Sequence, residues 1–227
     1  MTKLSFSGIF AAALLPLLLA ACDKTPQPPM VFGASAWPGY EPVFLAQDQG
    51  YLQGSNLRLS EFKSPAETAD ALRSQKIHLA ALTLENALLL RRDIPDLKII
   101  LLFDAAPGKR LDVLVTRDEY IGQYHSEMQQ LLLGWRKALD YMHSNPDQAA
   151  QAMARREGLT LAQFNAARQG LELYGLQRNQ LELLGDPPPI GTVIEAAQHS
   201  LLNQGKLEIG FDPSMLVEPA LLAESPK

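Results

Sequence analysis

Along residues 30–116, apolar positions switch repeatedly between the period of a β-strand and the period of an α-helix. Five segments are predicted as strands: 30–36, 57–62, 77–83, 96–103 and 111–116. Helical spacing fills the first three intervals between them, at 40–49, 64–73 and 84–92. This alternation predicts an α/β domain with a doubly wound, mainly parallel sheet of about five strands.

Beyond residue 116 the pattern is helical almost to the C-terminus. The clearest helix is 127–144, which places Leu131, Trp135 and Leu139 on one face. A further helix is predicted from Thr160 through Tyr174, followed by a Pro-rich loop and a last long helix. The C-terminal half is therefore expected to be helical.

The N-terminus has the pattern of an export signal. Lys3 precedes an apolar run at 9–21, which is shorter than the roughly 20 residues that a membrane span needs. The run ends at Cys22, the single cysteine of the chain, in a sequence that resembles a bacterial lipobox. The alternative is a simple secretory signal with a chance cysteine. We expect a signal peptide at 1–21, a lipidated tether at 22–29, a folded body at 30–216 and a tail at 217–227.

Composition removes several classes of function. The chain has 227 residues, 47% of them hydrophobic, and a net charge of −5, which argues against nucleic acid as a partner. One cysteine allows no disulfide framework and no cysteine-based metal site. The chain contains no nucleophile elbow, phosphate-binding loop or His-x-x-x-His pair, so we expect neither an enzyme nor a bound metal or cofactor.

Candidate binding residues cluster where predicted strands end and helices begin, which is where ligands lie in open α/β sheets. Trp37 and Tyr40 flank the turn after the first strand. The two rings either line a small-molecule site or pack into the turn and core.

Polar residues at two further strand ends complete the candidate site. Ser64 begins a helix with Pro65 and Glu67, a pattern that either presents free amides to an anion or simply caps the helix. Thr83 ends the third strand and is a candidate hydrogen-bonding group. Glu85 either accepts from an amine or stabilises the helix N-terminus.

The motif from Trp37 to Pro42, with the Gly50-Tyr51-Leu52 that follows it, resembles the opening of a known family. The family is that of the NMT/SsuA-like substrate-binding proteins, which serve ABC importers for nitrate, sulfonates, taurine and thiamine pyrimidine. Residues 111–216, with Asn145-Pro146 and Phe211-Asp212-Pro213, resemble the closing part of the same family. The resemblance implies a type II periplasmic binding protein.

Members of that family have a second α/β lobe between these halves, whereas here only a loop at 105–110 joins them. We therefore expect one lobe, with the missing half supplied by another chain, replaced by an adaptor role, or lost. The lipobox, with Asp23 after Cys22, and the family resemblance together imply a lipid-anchored protein on the periplasmic side of the bacterial inner membrane that binds a small molecule and an ABC permease. The alternative is a sensory or adaptor lipoprotein that regulates a membrane partner without transport.

Overall fold

The computed structural model describes residues 27–106 and 110–224, so the predicted signal peptide and Cys22 lie outside the described residues. The strands are β1 Met30–Ser35, β2 Leu57–Phe62, β3 Leu79–Thr83, β4 Leu97–Ala106, β5 Arg110–Arg117 and β6 Glu172–Leu173. The helices are α1 Glu41–Asp48, α2 Pro65–Arg73, α3 Leu84–Leu90, α4 Asp118–Gln123, α5 His125–Ser144, α6 Pro146–Arg156, α7 Leu161–Ala167, α8 Leu176–Leu183, α9 Gly191–Asn203 and α10 Ala220–Ala223, with a 3-10 turn at Pro213–Leu216.

The described strands form one sheet in the order β2-β1-β3-β5-β4-β6. β1 pairs in parallel with β2 and β3. β5 lies between β3 and β4 and is antiparallel to both, so β1 to β4 all run in one direction. The predicted α/β class with a mainly parallel sheet is thus confirmed, with β5 and β6 as the reversed strands.

The segment at 104–110, expected to be a loop, belongs mostly to the sheet. β4 continues through Ala106 and β5 begins at Arg110, and the two strands pair from Leu97 opposite Arg117 to Ala106 opposite Arg110. Because a hairpin puts consecutive strands side by side, it brings polar residues near its end into contact across the ladder.

The C-terminal half departs from the all-helical prediction at one place. The helix expected to run to Tyr174 ends at Ala167, Gly170 adopts φ +77°, and Leu173 pairs with Asp104 as part of β6. Glycine adopts a positive φ without strain, so Gly170 lets the chain turn after α7 and enter the extended β6.

The folded body extends at both ends beyond the limits expected from sequence. Val217 bridges to Ile99, and Leu221 and Leu222 are fully buried, so residues 217–224 pack on the body. At the other end, the Asn56 side chain donates to the Gln27 carbonyl at 2.9 Å.

Aromatic side chains fill the core beneath the turn that follows β1. The Phe103 ring lies 6.4 Å from Phe32, 5.2 Å from Tyr40 and 5.2 Å from Trp135, measured between centroids. Trp135 is fully buried, as expected from its place on the apolar face of α5, and its indole donates to the Tyr174 carbonyl at 2.9 Å. These contacts anchor α5 against the strands that carry the site.

A buried ion pair fixes the start of α1. Glu41 is fully buried, and Arg156 of α6 donates to it twice, through Nε at 2.6 Å and through Nη2. Arg156 also donates to Glu61 at 2.5 Å and lies 3.7 Å from the centroid of the Phe44 ring. Two carboxylates and an aromatic face around one guanidinium hold α6 against α1 and β2.

Candidate functional site

The turn after β1 covers the carboxyl end of β4. The Trp37 indole Nε1 donates to Asp104 Oδ2 at 3.2 Å. At Gly39 a Cβ atom would overlap the same carboxylate and would lie 2.7 Å from Trp37 Nε1. Glycine is therefore required at this position because the backbone approaches a buried side chain so closely.

Two fully buried carboxylates face each other beneath this turn. Asp104 of β4 and Asp112 of β5 are paired across the ladder, and both are fully buried. Thr83 of β3 is the register partner of Asp112 on its other side. The sheet thus places Thr83, Asp112 and Asp104 in one transverse row at the carboxyl edge of β1, β3 and β4, which is where open α/β sheets bind ligands.

Burial dominates the electrostatics of this pair. Desolvation raises the pKa of Asp104 from 3.8 to about 7, and the charge of Asp112 adds to the rise. Burial also raises the pKa of Asp112, but Arg110 and the hydroxyl of Tyr40 oppose that rise. Asp104 is therefore the member that carries a proton near neutral pH, since two adjacent carboxylates cannot both ionise readily.

Arg110 closes the row on the solvent side. Its Nε lies 3.4 Å from Asp112 Oδ2, and its side chain is 39% exposed. Its guanidinium carbon lies 4.2 Å from the centroid of the Trp37 ring. We call the five residues Trp37, Tyr40, Asp104, Arg110 and Asp112 the dyad site.

The structure gives Trp37 and Tyr40 different positions. Trp37 is half-buried and lies at the dyad site. The ring of Tyr40 packs in the aromatic core with 2% of its surface exposed, and its hydroxyl interacts with Asp112. Burial and the Asp112 charge raise the pKa of Tyr40, so the hydroxyl stays protonated and acts as a donor.

The other three predicted residues cap or begin helices. Thr83 accepts from Asn86 N at 3.1 Å and so caps α3, while Glu85 lies half-buried in the first turn of that helix. Ser64 follows the edge strand β2 and accepts from Glu67 N at 3.2 Å. The Glu67 carboxylate accepts from the Lys63 amide rather than from the Ser64 amide, so the reciprocal capping box that a Ser and a Glu three residues apart can form is only half present.

Sequence reasoning did not select Asp104, Arg110 or Asp112 as site residues. The available signal was one acidic residue at the end of β4 and another near the start of β5, both next to strongly apolar runs. Such residues are rarely buried without a partner or a role. The sequence pattern does not show the strand register that makes the two aspartates neighbours.

The described residues, 27–106 and 110–224, contain neither a cluster of metal-binding side chains nor a membrane-spanning helix. No group of three or more His, Cys, Asp or Glu side chains among them could hold a metal ion. None of the helices in these ranges combines the length and the apolar character needed to cross a bilayer.

A concavity lies between α5 and α8, away from the dyad site. Its volume is about 610 Å³, and Leu139, Leu176, Leu181 and Leu184 contribute most of its apolar lining. It contains none of the residues of the dyad site. It is therefore a separate place where a small molecule could lodge, and an experiment on the dyad site must control for it.

The fold resembles solved periplasmic binding proteins. A Candida albicans protein with the generic periplasmic binding protein fold aligns over 85% of this chain and 96% of its own, with 10% identity and a TM-score of 0.67. The alkanesulfonate-binding protein SsuA of Xanthomonas axonopodis bound to MOPS aligns over 85% and 98%, with 10% identity and a TM-score of 0.66. The nitrate-binding protein NrtA of Synechocystis aligns over 88% of each chain, with 10% identity and a TM-score of 0.64.

No protein-family model and no curated protein sequence matches the chain. At identities near 10%, the similarity to solved structures defines the fold. The chain therefore has the fold of a periplasmic binding protein, and its six-stranded sheet matches a lobe of that fold.

Proposed function

We propose that the protein is a lipid-anchored, substrate-binding component of an ABC importer, which captures a small molecule outside the inner membrane. The observation that carries the proposal is the dyad site. An aromatic ring, two buried carboxylates and a cation converge at the carboxyl edge of a periplasmic-binding-protein sheet. Convergent polar groups beside an aromatic surface are typical of small-molecule sites.

The relatives of known structure support the class of activity. Two of them are named as an alkanesulfonate-binding and a nitrate-binding protein, and a third, from Staphylococcus aureus, is the ligand-binding component of an ABC-type import system, with zinc bound. The resemblance from Trp37 to Pro42 points to the same group. We extend small-molecule binding to this chain on these grounds, with the ligand class treated below.

A ligand screen tests the proposal. Thermal unfolding of the full-length chain in detergent can be followed by tryptophan fluorescence, because Trp37 and Trp135 are its two tryptophans. The ligands are sulfonates, nitrate, pyrimidines, amines, guanidinium compounds and dicarboxylates. A ligand at a hundred times its dissociation constant stabilises the native state by about 2.7 kcal/mol.

Two variants locate the binding. Trp37→Leu should abolish the ligand-induced rise in melting temperature, whereas Leu181→Ser, in the groove between α5 and α8, should leave it unchanged. A rise that is lost in Leu181→Ser and kept in Trp37→Leu would place the ligand in the groove. A flat screen on a protein that melts cooperatively would refute small-molecule binding.

One observation favours the second candidate, an adaptor or sensory lipoprotein. The described residues form one sheet, whereas binding proteins that signal by hinge closure grip their ligand between two lobes. Cross-linking of the membrane-bound protein followed by mass spectrometry separates the two candidates. An importer component should cross-link to a permease, whereas an adaptor should cross-link to another membrane protein.

The lipid anchor is tested separately. Mass spectrometry of the mature N-terminus should show a diacylated Cys22, and Cys22→Ser should move the protein from the membrane fraction to the soluble fraction. Two or more acyl chains anchor a protein stably, whereas one does not. A membrane-bound Cys22→Ser protein would contradict lipidation at this residue.

A further inference from the structure

The dyad site already contains a planar cation that belongs to the chain. The Arg110 guanidinium stacks on the Trp37 ring, with 4.2 Å between the guanidinium carbon and the ring centroid. The same guanidinium is ion-paired with the fully buried Asp112. An aromatic face next to a carboxylate is the combination that recognises a planar cation.

The fit between Arg110 and the carboxylates is loose. Its Nη2 lies 3.5 Å from Asp112 Oδ1 and its Nε 3.4 Å from Asp112 Oδ2, whereas good guanidinium–carboxylate bonds are about 2.7–2.9 Å long. Asp104 Oδ1, Asp112 Oδ2 and Arg110 Nε are buried atoms with no hydrogen-bond partner among the described residues. The site thus has acceptor capacity that its own cation does not satisfy.

The charge of the site disfavours an oxyanion. Near neutral pH Asp104 carries a proton, so a nitrate or sulfonate placed beside the pair would meet the buried negative charge of Asp112, and the neighbouring Arg110 cation is already paired with that charge. Like charges in a desolvated site repel strongly. A ligand that offers N–H donors and positive charge meets the opposite situation.

We propose that the dyad site binds a ligand carrying a planar cationic N–H donor group of the guanidinium or amidinium type. The Arg110 guanidinium occupies the position of that group until the ligand displaces it. This inference rests on the proposed small-molecule binding function and specifies its ligand class.

Proton competition gives this binding a characteristic pH dependence. The groups that act on Asp104 are Asp112, Trp37 and Arg110, while its register partner on β6 is the uncharged Leu173. A cation that binds the dyad replaces the shared proton, which passes to solvent. Affinity for a cation should therefore rise with pH up to about the pKa of Asp104, near 7, whereas an oxyanion would show the reverse trend.

The experiment is chemical rescue, by an added guanidinium compound, of a variant that lacks the Arg110 side chain. The full-length Arg110→Ala protein in detergent is titrated with methylguanidinium up to about 10 mM, which is far below denaturing concentrations. We expect a dissociation constant at least tenfold lower than in the wild type, and lower at pH 8 than at pH 6. Arg117→Ala, on the same strand but ion-paired with Asp96 at the other end, is the matched control and should bind as the wild type does.

Arg110→Met retains the apolar stem and provides a second variant if Arg110→Ala does not fold. Methanesulfonate and nitrate form the oxyanion arm of the experiment. Absence of rescue in the folded variant, or tighter oxyanion binding with no response to the cation, would overturn the inference. If the wild type nevertheless bound an oxyanion through Trp37, the proposed function would stand without this ligand class. If neither arm gave binding in any variant, both would fail.

Discussion

The buried ion pair between Glu41 and Arg156 yields the sharpest prediction about stability. Arg156→Ala removes the two hydrogen bonds that Arg156 donates to the fully buried Glu41, the contact to Glu61 and the stacking on Phe44. Breaking a buried pair by removing one partner costs about 3–5 kcal/mol, because the remaining charge is left uncompensated. Since the Arg156 side chain is 21% exposed, water can enter the vacated space, so we expect about 3 kcal/mol.

Urea unfolding at neutral pH measures this loss. With a denaturant slope of about 2–3 kcal/mol per molar, the midpoint should fall by roughly 1 M. Arg155→Ala, on the exposed neighbouring position, should change the free energy of unfolding by less than about 0.5 kcal/mol.

A double variant separates loss of the pair from loss of packing. Glu41→Gln combined with Arg156→Met removes both charges, so it should be less destabilised than Arg156→Met alone. If Arg156→Ala cost no more than the Arg155→Ala control, Glu41 would not depend on Arg156, and the role given to this pair in holding α6 against α1 would be wrong.

Three further predictions concern the site and its support. Gly39→Ala should destabilise the fold by about 1–3 kcal/mol because its Cβ overlaps the Asp104 carboxylate, whereas Gly122→Ala, with open space around it, should be neutral or stabilising in the same urea assay. The raised pKa of Asp104 means that the native state keeps a proton that the unfolded chain releases between about pH 4 and about pH 7. Over this range the free energy of unfolding of the wild type should therefore fall as pH rises, relative to that of Asp104→Asn. A difference between the two proteins that stays constant over this range would refute the raised pKa. Asn179→Ala should lower the free energy of unfolding, measured with urea, by about 2–3 kcal/mol. The fully buried Asn179 side chain accepts from Leu102 N at 2.6 Å and donates to the Leu102 carbonyl at 2.9 Å. A loss below about 1 kcal/mol would show that other groups replace these bonds.

Much of the local structure was predictable from the sequence. The strand segments and the helices that separate them follow from hydrophobic spacing. The caps at Ser64, Thr83 and Thr160 follow from residue types that bind backbone amides two or three positions away. The position of Trp37 after the first strand also placed it at the carboxyl edge of the sheet. These features depend on interactions between residues that are close in the chain, so the local sequence is enough to predict them.

The composition of the site was decided by tertiary structure. The insertion of β5 between β3 and β4 makes Asp112 a neighbour of both Thr83 and Asp104. The burial of the Tyr40 ring likewise depends on Phe103, which lies more than sixty positions away in the chain. No short-range pattern encodes such pairings, because the free energy that selects a strand order comes from the whole sheet and its packing. The sequence by itself therefore determined the elements and their ends, whereas only the three-dimensional pairing of strands brought two carboxylates and a guanidinium together beside Trp37.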